Sequence, residues 1–173
     1  MKIVIAAAFA LLGAGAAIVS AQPSPARTFE ALRQAVSQAQ ADAVLQARVL
    51  WNTDIATVNA ADAKNRFTLT SAETVAGSLR RDRAPQVSST SLVIVSQDDA
   101  GRELDWRVMQ DPRVVRAEAT RTDTVNGERL YYVDIDLLLQ LPALPETSQL
   151  AIYSVRAVGG QPVLDLLGTV RVQ

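Results

Sequence analysis

Cysteine and histidine are both absent from this chain of 173 residues. Without cysteine, neither a disulfide scaffold nor a thiolate metal site can form. Without histidine, the Ser-His and Cys-His pairs of nucleophilic hydrolases are excluded. A Ser-Lys enzyme is also disfavoured, because after Lys2 the chain contains only Lys64, which is not in a Ser-x-x-Lys pattern.

An excess of charge of either sign is also missing. The chain has 17 basic and 18 acidic residues, so its formal net charge is −1. Proteins that bind nucleic acid carry a basic patch, and we therefore expect no nucleic-acid partner. Aromatic residues are few, at 5%, although 49% of the residues are hydrophobic. So apolar a composition does not fit intrinsic disorder and predicts a globular domain.

The N-terminus has the pattern of a secretory signal peptide over residues 1–21. Lys2 precedes an uncharged run from Ile3 to Val19, and Val19 and Ala21 are small residues at the −3 and −1 positions of a cleavage site. An uncleaved N-terminal anchor is the alternative, since the run is close to the minimum length for crossing a membrane. Glycines and alanines within the run, and the lack of a basic cluster after it, favour cleavage.

These signals predict export through the secretory pathway, to the periplasm or to the outside of the cell. We expect no stable membrane insertion once the signal peptide is removed. The basic residues are almost all arginine, which favours a bacterial source with a GC-rich genome. The sequence leaves the oligomeric state open.

The exported part divides into three segments. Residues 22–27 contain two prolines and are predicted to be a linker. Thr28 is a candidate N-cap, and apolar residues then recur at spacings of three and four, which predicts an amphipathic helix over 28–43. Residues 44–173 contain about eight short alternating runs separated by turn signals, the pattern of a β-domain.

Several runs of the β-domain have clear boundaries. A strand is predicted over 44–51 from alternating residues, although Ala47 and Leu50 would also continue the helical spacing. The runs 91–96 and 104–108 flank an Asp- and Gly-containing turn and predict a hairpin. Leu130 to Leu141 is the longest strand candidate, and Gly159-Gly160 predicts a turn near the end of the chain.

The strand spacing predicts an antiparallel β-sandwich, immunoglobulin-like in the broad sense, preceded by one amphipathic helix. The alternative is an α+β fold in which the helix packs on one antiparallel sheet. The sequence alone leaves open whether the helix docks on the sheet.

One basic cluster is a candidate binding site. Arg80, Arg81 and Arg83 lie in a polar loop, and arginine makes bidentate contacts to phosphate or to acidic polysaccharide. Asp82 lies within the cluster, so a solvated loop is the simpler interpretation.

Two adjacent tyrosines are a second candidate. Tyr131 and Tyr132 point to opposite sides if they lie on a strand, so one of them is expected to be exposed. An exposed tyrosine beside Trp51 or Trp106 would suit a sugar ring or a partner surface. In the alternative, one tyrosine packs in the core and the other covers a sheet face.

Carboxylates are the third candidate. Asp134 and Asp136 are two residues apart and share a face of a strand, while Asp98 lies in a predicted turn. Such groups suit acid–base chemistry or a hard cation such as Ca²⁺. Aspartates also mark solvent-facing positions and stabilise turns. We therefore treat Asp98, Asp134 and Asp136 only as weak metal candidates and expect no cofactor.

Together these observations favour a secreted or periplasmic β-sandwich without catalytic activity, which acts by protein binding or structural support. An edge strand that accepts another chain would need no special residues, and an envelope protein is a possible partner. The alternatives are a carbohydrate- or calcium-dependent adhesion module and a small hydrolase that uses two carboxylates.

Overall fold

The computed structural model describes residues 27–53, 65–117, 128–131 and 134–173. The predicted signal peptide and most of the predicted linker lie outside these ranges. The elements in chain order are β1 (Arg27–Thr28), α1 (Phe29–Ala35), β2 (Ala43–Thr53), β3 (Asn65–Ala76), β4 (Ser91–Gln97), β5 (Glu103–Gln110), β6 (Val114–Ala117), β7 (Glu128–Tyr131), β8 (Asp134–Pro142), β9 (Gln149–Val158) and β10 (Gln161–Arg171).

The strands form two main antiparallel sheets. The larger has five strands in the order β1-β10-β9-β4-β5, and the smaller has three in the order β3-β2-β8. Strands β6 and β7 form a separate antiparallel pair. The predicted class, a mainly β sandwich preceded by a helix, is confirmed.

The main core lies between the two sheets. Inward-facing apolar residues of β2 and β8 meet those of β4, β9 and β10 across the sandwich. Its buried members are Ala47, Val49, Trp51, Leu92, Ile94, Leu137, Leu139, Leu141, Leu150, Ile152 and Val170.

A second apolar cluster covers the other face of the five-stranded sheet. Phe29 and Leu32 of α1, together with Val36, pack against Val93 and Trp106 of the sheet. The helix therefore docks on the sheet, and β4 is buried on both faces. This position explains the continuous apolar sequence from Leu92 to Val95.

Helix α1 is shorter than the sequence predicts. Thr28 is the N-cap, and its hydroxyl accepts a hydrogen bond from the N–H of Ala31. The helix ends at Ala35, so the prediction of a helix over 28–43 is wrong beyond that residue. Side chains of β5 bond the backbone of the following segment and hold it extended. In the part of the chain that the structure describes, no helix is long and apolar enough to span a membrane.

Most of the predicted strands and turns that lie within the described residues are present. The hairpin of β4 and β5 is confirmed, as is the turn at Gly159 and Gly160, where φ is 57° and 78°. The single strand predicted from Leu130 to Leu141 is wrong. Its described residues belong to β7, up to Tyr131, and to β8, from Asp134, and these strands lie in different sheets. Alternating apolar residues fit both strands and give no sign of a change of sheet.

The first half of β3 lies against β10. A side-chain carbon added at Gly168 of β10 would come 2.8 Å from Cδ2 of Phe67 on β3. The backbone of β10 is irregular between Leu166 and Gly168. The two sheets therefore approach closely here, and the second half of β3 extends beyond this contact.

Candidate functional site

The edges of the two sheets differ in how they are protected. Strand β5 ends the five-stranded sheet on one side, and the two-residue β1 ends it on the other. Strands β3 and β8 are the edges of the three-stranded sheet. Unpaired backbone groups on an edge can bond another chain, so these edges are the natural places to look for a binding site.

The first part of the segment that joins α1 to β2, residues 36–39, covers the edge of β5 beside Asp105 and Trp106. The indole N–H of Trp106 donates to the carbonyl oxygen of Val36 at 2.8 Å. The side-chain amide of Gln38 donates to the carbonyl oxygen of Trp106 at 3.4 Å. The N–H of Ala39 donates to the carboxylate of Asp105 at 2.7 Å. This part of the edge is therefore occupied by the protein's own chain.

A buried ion pair holds this covering segment against β5. Asp105 is 0% exposed, and Nε of Arg107 lies 3.0 Å from its Oδ2. Burial raises the pKa of the Asp105 carboxyl, while the charge of Arg107 acts in the opposite direction. Arg107 also donates to the carbonyl oxygens of Ala39, at 3.1 Å, and of Arg80, at 2.9 Å. One pair of side chains thus joins β5, the cover and the loop after β3.

The predicted basic cluster lies in that loop, and its members are not brought together at one cleft. Arg80, Arg81 and Arg83 are all exposed. Arg80 alone lines a cleft of about 300 Å³ between β5 and β8, together with apolar side chains such as Ile94 and Met109.

Strand β8 is the other edge of the three-stranded sheet. It ends at Pro142, which has no N–H to donate. Loop residues Leu79 and Arg80 line the cleft beside it.

The second half of β3 carries no cover among the described residues. The N–H of Gly77 donates to the carbonyl oxygen of Asp42 at 3.1 Å, so this pair is hydrogen-bonded. Hydrogen-bonded pairs alternate along an antiparallel ladder. Val75 and Glu73 therefore bond toward β2, and the intervening backbone groups point outward. We call the N–H groups of these intervening residues the outward amides: Ala72, Thr74 and Ala76.

A groove lies beside the outward amides. It has a volume of about 360 Å³, and residues of β2, β3, the loop after β8 and the chain after β10 line it. We call it the β3 groove; its lining includes Leu45, Glu73, Thr74, Leu144, Thr147 and Val172. The side chains of Ala72 and Thr74 point toward it, because these residues pair with the inward-facing Ala47 and Leu45.

Thr147 is an unusual member of this lining. The residue is only 2% exposed, and its Oγ1 has no hydrogen-bond partner among the described residues. A buried hydroxyl without a partner costs about 1–3 kcal/mol. The Oγ1 atom is itself shielded from solvent, so this cost falls on the folded protein, and a molecule in the groove would reach the hydroxyl only if the lining moved.

The three candidate metal ligands lie apart and have other partners. Asp134 accepts from the amide of Asn52 at 2.6 Å, and Arg48 lies 3.6 Å from Asp136. Both aspartates are exposed on the outer face of the three-stranded sheet. Within the ranges described above, no group of three acidic side chains is placed to hold a metal ion.

Asp98 stabilises the turn between β4 and β5. Its carboxylate accepts from the backbone N–H groups of Ala100 and Arg102 and from the side chain of Arg102. These bonds, above all that from the N–H of Arg102, lower the pKa of Asp98.

The two candidate tryptophans are buried. Trp51 is 1% exposed and packs on Phe67, with the guanidinium of Arg113 3.7 Å from its ring centre. Trp106 is 4% exposed. Neither tryptophan therefore offers an exposed ring to a ligand. The side chain of Tyr131 and all of Tyr132 lie outside the described residues, so the hypothesis of an exposed tyrosine stays a prediction.

Comparison with models of protein families, with curated proteins and with solved structures found no match for this chain. The β3 groove and Thr147 were not candidates from the sequence. A threonine is unremarkable until its surroundings are known, and only the order of the strands makes β3 an edge.

Proposed function

We propose that this chain is an exported β-sandwich protein without catalytic activity, and that it acts by binding a protein partner. The observation that carries the proposal is the contrast between edges. Residues 36–39 cover part of the β5 edge, whereas the second half of β3 presents outward amides with no partner among the described residues. The signal-peptide pattern of residues 1–21 supports export.

The clefts give little support to a hydrolase. A glycosidase needs two carboxyl groups about 5–10 Å apart. Among its described lining residues, the cleft beside β5 has one acidic side chain, Asp82, and the β3 groove has one, Glu73. A calcium- or sugar-dependent adhesion module likewise gains no support from the paired aspartates or the buried tryptophans.

The experiment that tests the proposal is immunoprecipitation of the native protein. Antibodies raised against the purified chain are used on the envelope fraction and on the culture medium of its host, and mass spectrometry identifies what is retained. A strain that lacks the gene is the control. We expect one protein to be enriched in near-equal amount with the chain. Absence of any enriched protein from both fractions would contradict the proposal.

A further inference from the structure

We infer that the β3 groove accepts an extended peptide segment of the partner protein, which adds as a strand to the outer edge of β3 and places a basic side chain beside Glu73. This inference rests on the proposed function and names the site and the chemistry of the bound segment. It follows from three features of the groove.

The first feature is the spacing of the backbone donors. The outward amides recur at every second residue from 72 to 76, and the side chains from Ser71 to Thr74 are exposed. An incoming strand rises about 3.3 Å per residue and bonds at the same two-residue interval. A segment of about five residues therefore matches this edge without any change in β3.

The second feature is the inner side of the groove. An added strand directs alternate side chains inward, toward Leu45, Thr147 and Val172. The groove volume of about 360 Å³ has room for such side chains because the inner positions of β3 here are the small residues Ala72 and Thr74.

The third feature is charge. Glu73 pairs with Gln46 on the outer face of the sheet, is exposed and has no ion pair among the described residues. Residues directly opposite each other on adjacent strands share a face, so a guest arginine or lysine opposite Glu73 forms a cross-strand ion pair. The bound segment is therefore extended, basic at this position and free of proline at its bonding positions.

The test uses a library of random twelve-residue peptides displayed on phage, selected on the protein as its host exports it. Synthetic copies of the selected peptides are then titrated by fluorescence polarisation. The main variant is Thr74→Pro, which removes an outward amide but no bond to β2. Its control is Thr74→Val, which keeps the amide. We expect Thr74→Pro to weaken binding at least about tenfold and Thr74→Val to change it less than about twofold.

One further variant addresses the charge. Glu73→Gln should weaken the binding of basic peptides about two- to fivefold at low salt and much less at high salt. Equal affinities of Glu73→Gln and the unaltered protein for basic peptides at low salt would show that Glu73 does not select a basic side chain.

The outcomes separate this inference from the proposed function. If a partner is immunoprecipitated but binds Thr74→Pro as well as the unaltered protein, protein binding stands and the β3 site is wrong. The site is also wrong if no library peptide depends on the Thr74 amide. If sedimentation shows a dimer that Thr74→Pro dissociates, the guest strand is a second copy of this chain, which overturns the assignment to another protein.

Discussion

Strands β5 and β3 are both edge strands, but their surroundings differ. At β5, residues 36–39 lie along part of the edge, and Asp105, Trp106 and Arg107 bond the covering backbone. At β3, the residues from Ser71 to Thr74 are small or polar, exposed and without a covering segment among the described residues. A segment that covers an edge is stabilised by buried polar groups that satisfy one another, as at β5, and none of the described residues forms such a group at the second half of β3.

The largest expected effect comes from removing the cover of β5. Asp105→Ala leaves the guanidinium of Arg107 buried without its counter-ion and removes the acceptor of the Ala39 N–H. We expect a loss of about 3–5 kcal/mol in the free energy of unfolding, measured by urea denaturation. Asp136→Ala breaks an exposed ion pair with Arg48 and is the matched control, with an expected loss of about 0–1 kcal/mol. Equal losses in the two variants would show that the cover of β5 does not depend on this pair.

Proline substitutions compare the two sides of β3 itself. Glu73→Pro removes an N–H that bonds β2, and we expect it to cost about 2–3 kcal/mol, because a ladder bond is lost and its acceptor is left unpaired. Thr74→Pro removes an outward amide and should cost less than about 1 kcal/mol. Thermal and urea unfolding of both variants measures the difference. If Thr74→Pro is as destabilising as Glu73→Pro, the outer edge of β3 is not free.

Phe67 of β3 and Gly168 of β10 lie in close contact between the two sheets. Gly168→Ala places a methyl group against the Phe67 ring, and we expect a loss of about 1–2 kcal/mol in the free energy of unfolding from overpacking. In a Phe67→Leu background the ring atoms are gone, and the same substitution should cost much less. An equal cost in both backgrounds would show that the loss does not come from contact with the Phe67 ring.

The smallest effect concerns the turn that leads into β5. The folded pKa of Asp98 is lowered from its ordinary value of 3.8, so its contribution to stability is present above that pH and is lost as the pH falls through the folded pKa. Asp98→Asn should therefore lower the melting temperature near pH 7 and have a smaller effect near pH 2. Differential scanning calorimetry at both pH values measures this. If the difference in melting temperature between Asp98→Asn and the unaltered protein grew toward low pH, the ionised carboxylate of Asp98 would not be what stabilises the turn.

Local sequence signals identified the parts of the fold whose causes are local. Asp98 and Gly101 mark the hairpin of β4 and β5, and the glycine pair at 159–160 marks the last turn. Helix α1 begins where Thr28 predicts. Its end was mispredicted because Trp106 and Asp105, about 70 residues away in the chain, bond the segment that follows it.

The candidate site depends on long-range order, which explains why the sequence analysis missed it. Nothing in the residues from Ser71 to Ala76 indicates whether their strand is central or at an edge. The cost of the Thr147 hydroxyl likewise appears only when its burial is known. The exposed arginines of the loop after β3 were more conspicuous in the sequence, yet only Arg80 lines a cleft.

The central claim is that the outward amides of β3 are free and accept a strand. Amide hydrogen exchange, followed residue by residue by nuclear magnetic resonance, tests this claim most directly. In the free protein, Thr74 should exchange rapidly while Glu73 and Val75 remain protected. Addition of a selected peptide should then slow exchange at Ala72, Thr74 and Ala76. Protection of Thr74 in the free protein, or unchanged exchange there when the peptide is bound, would contradict the account.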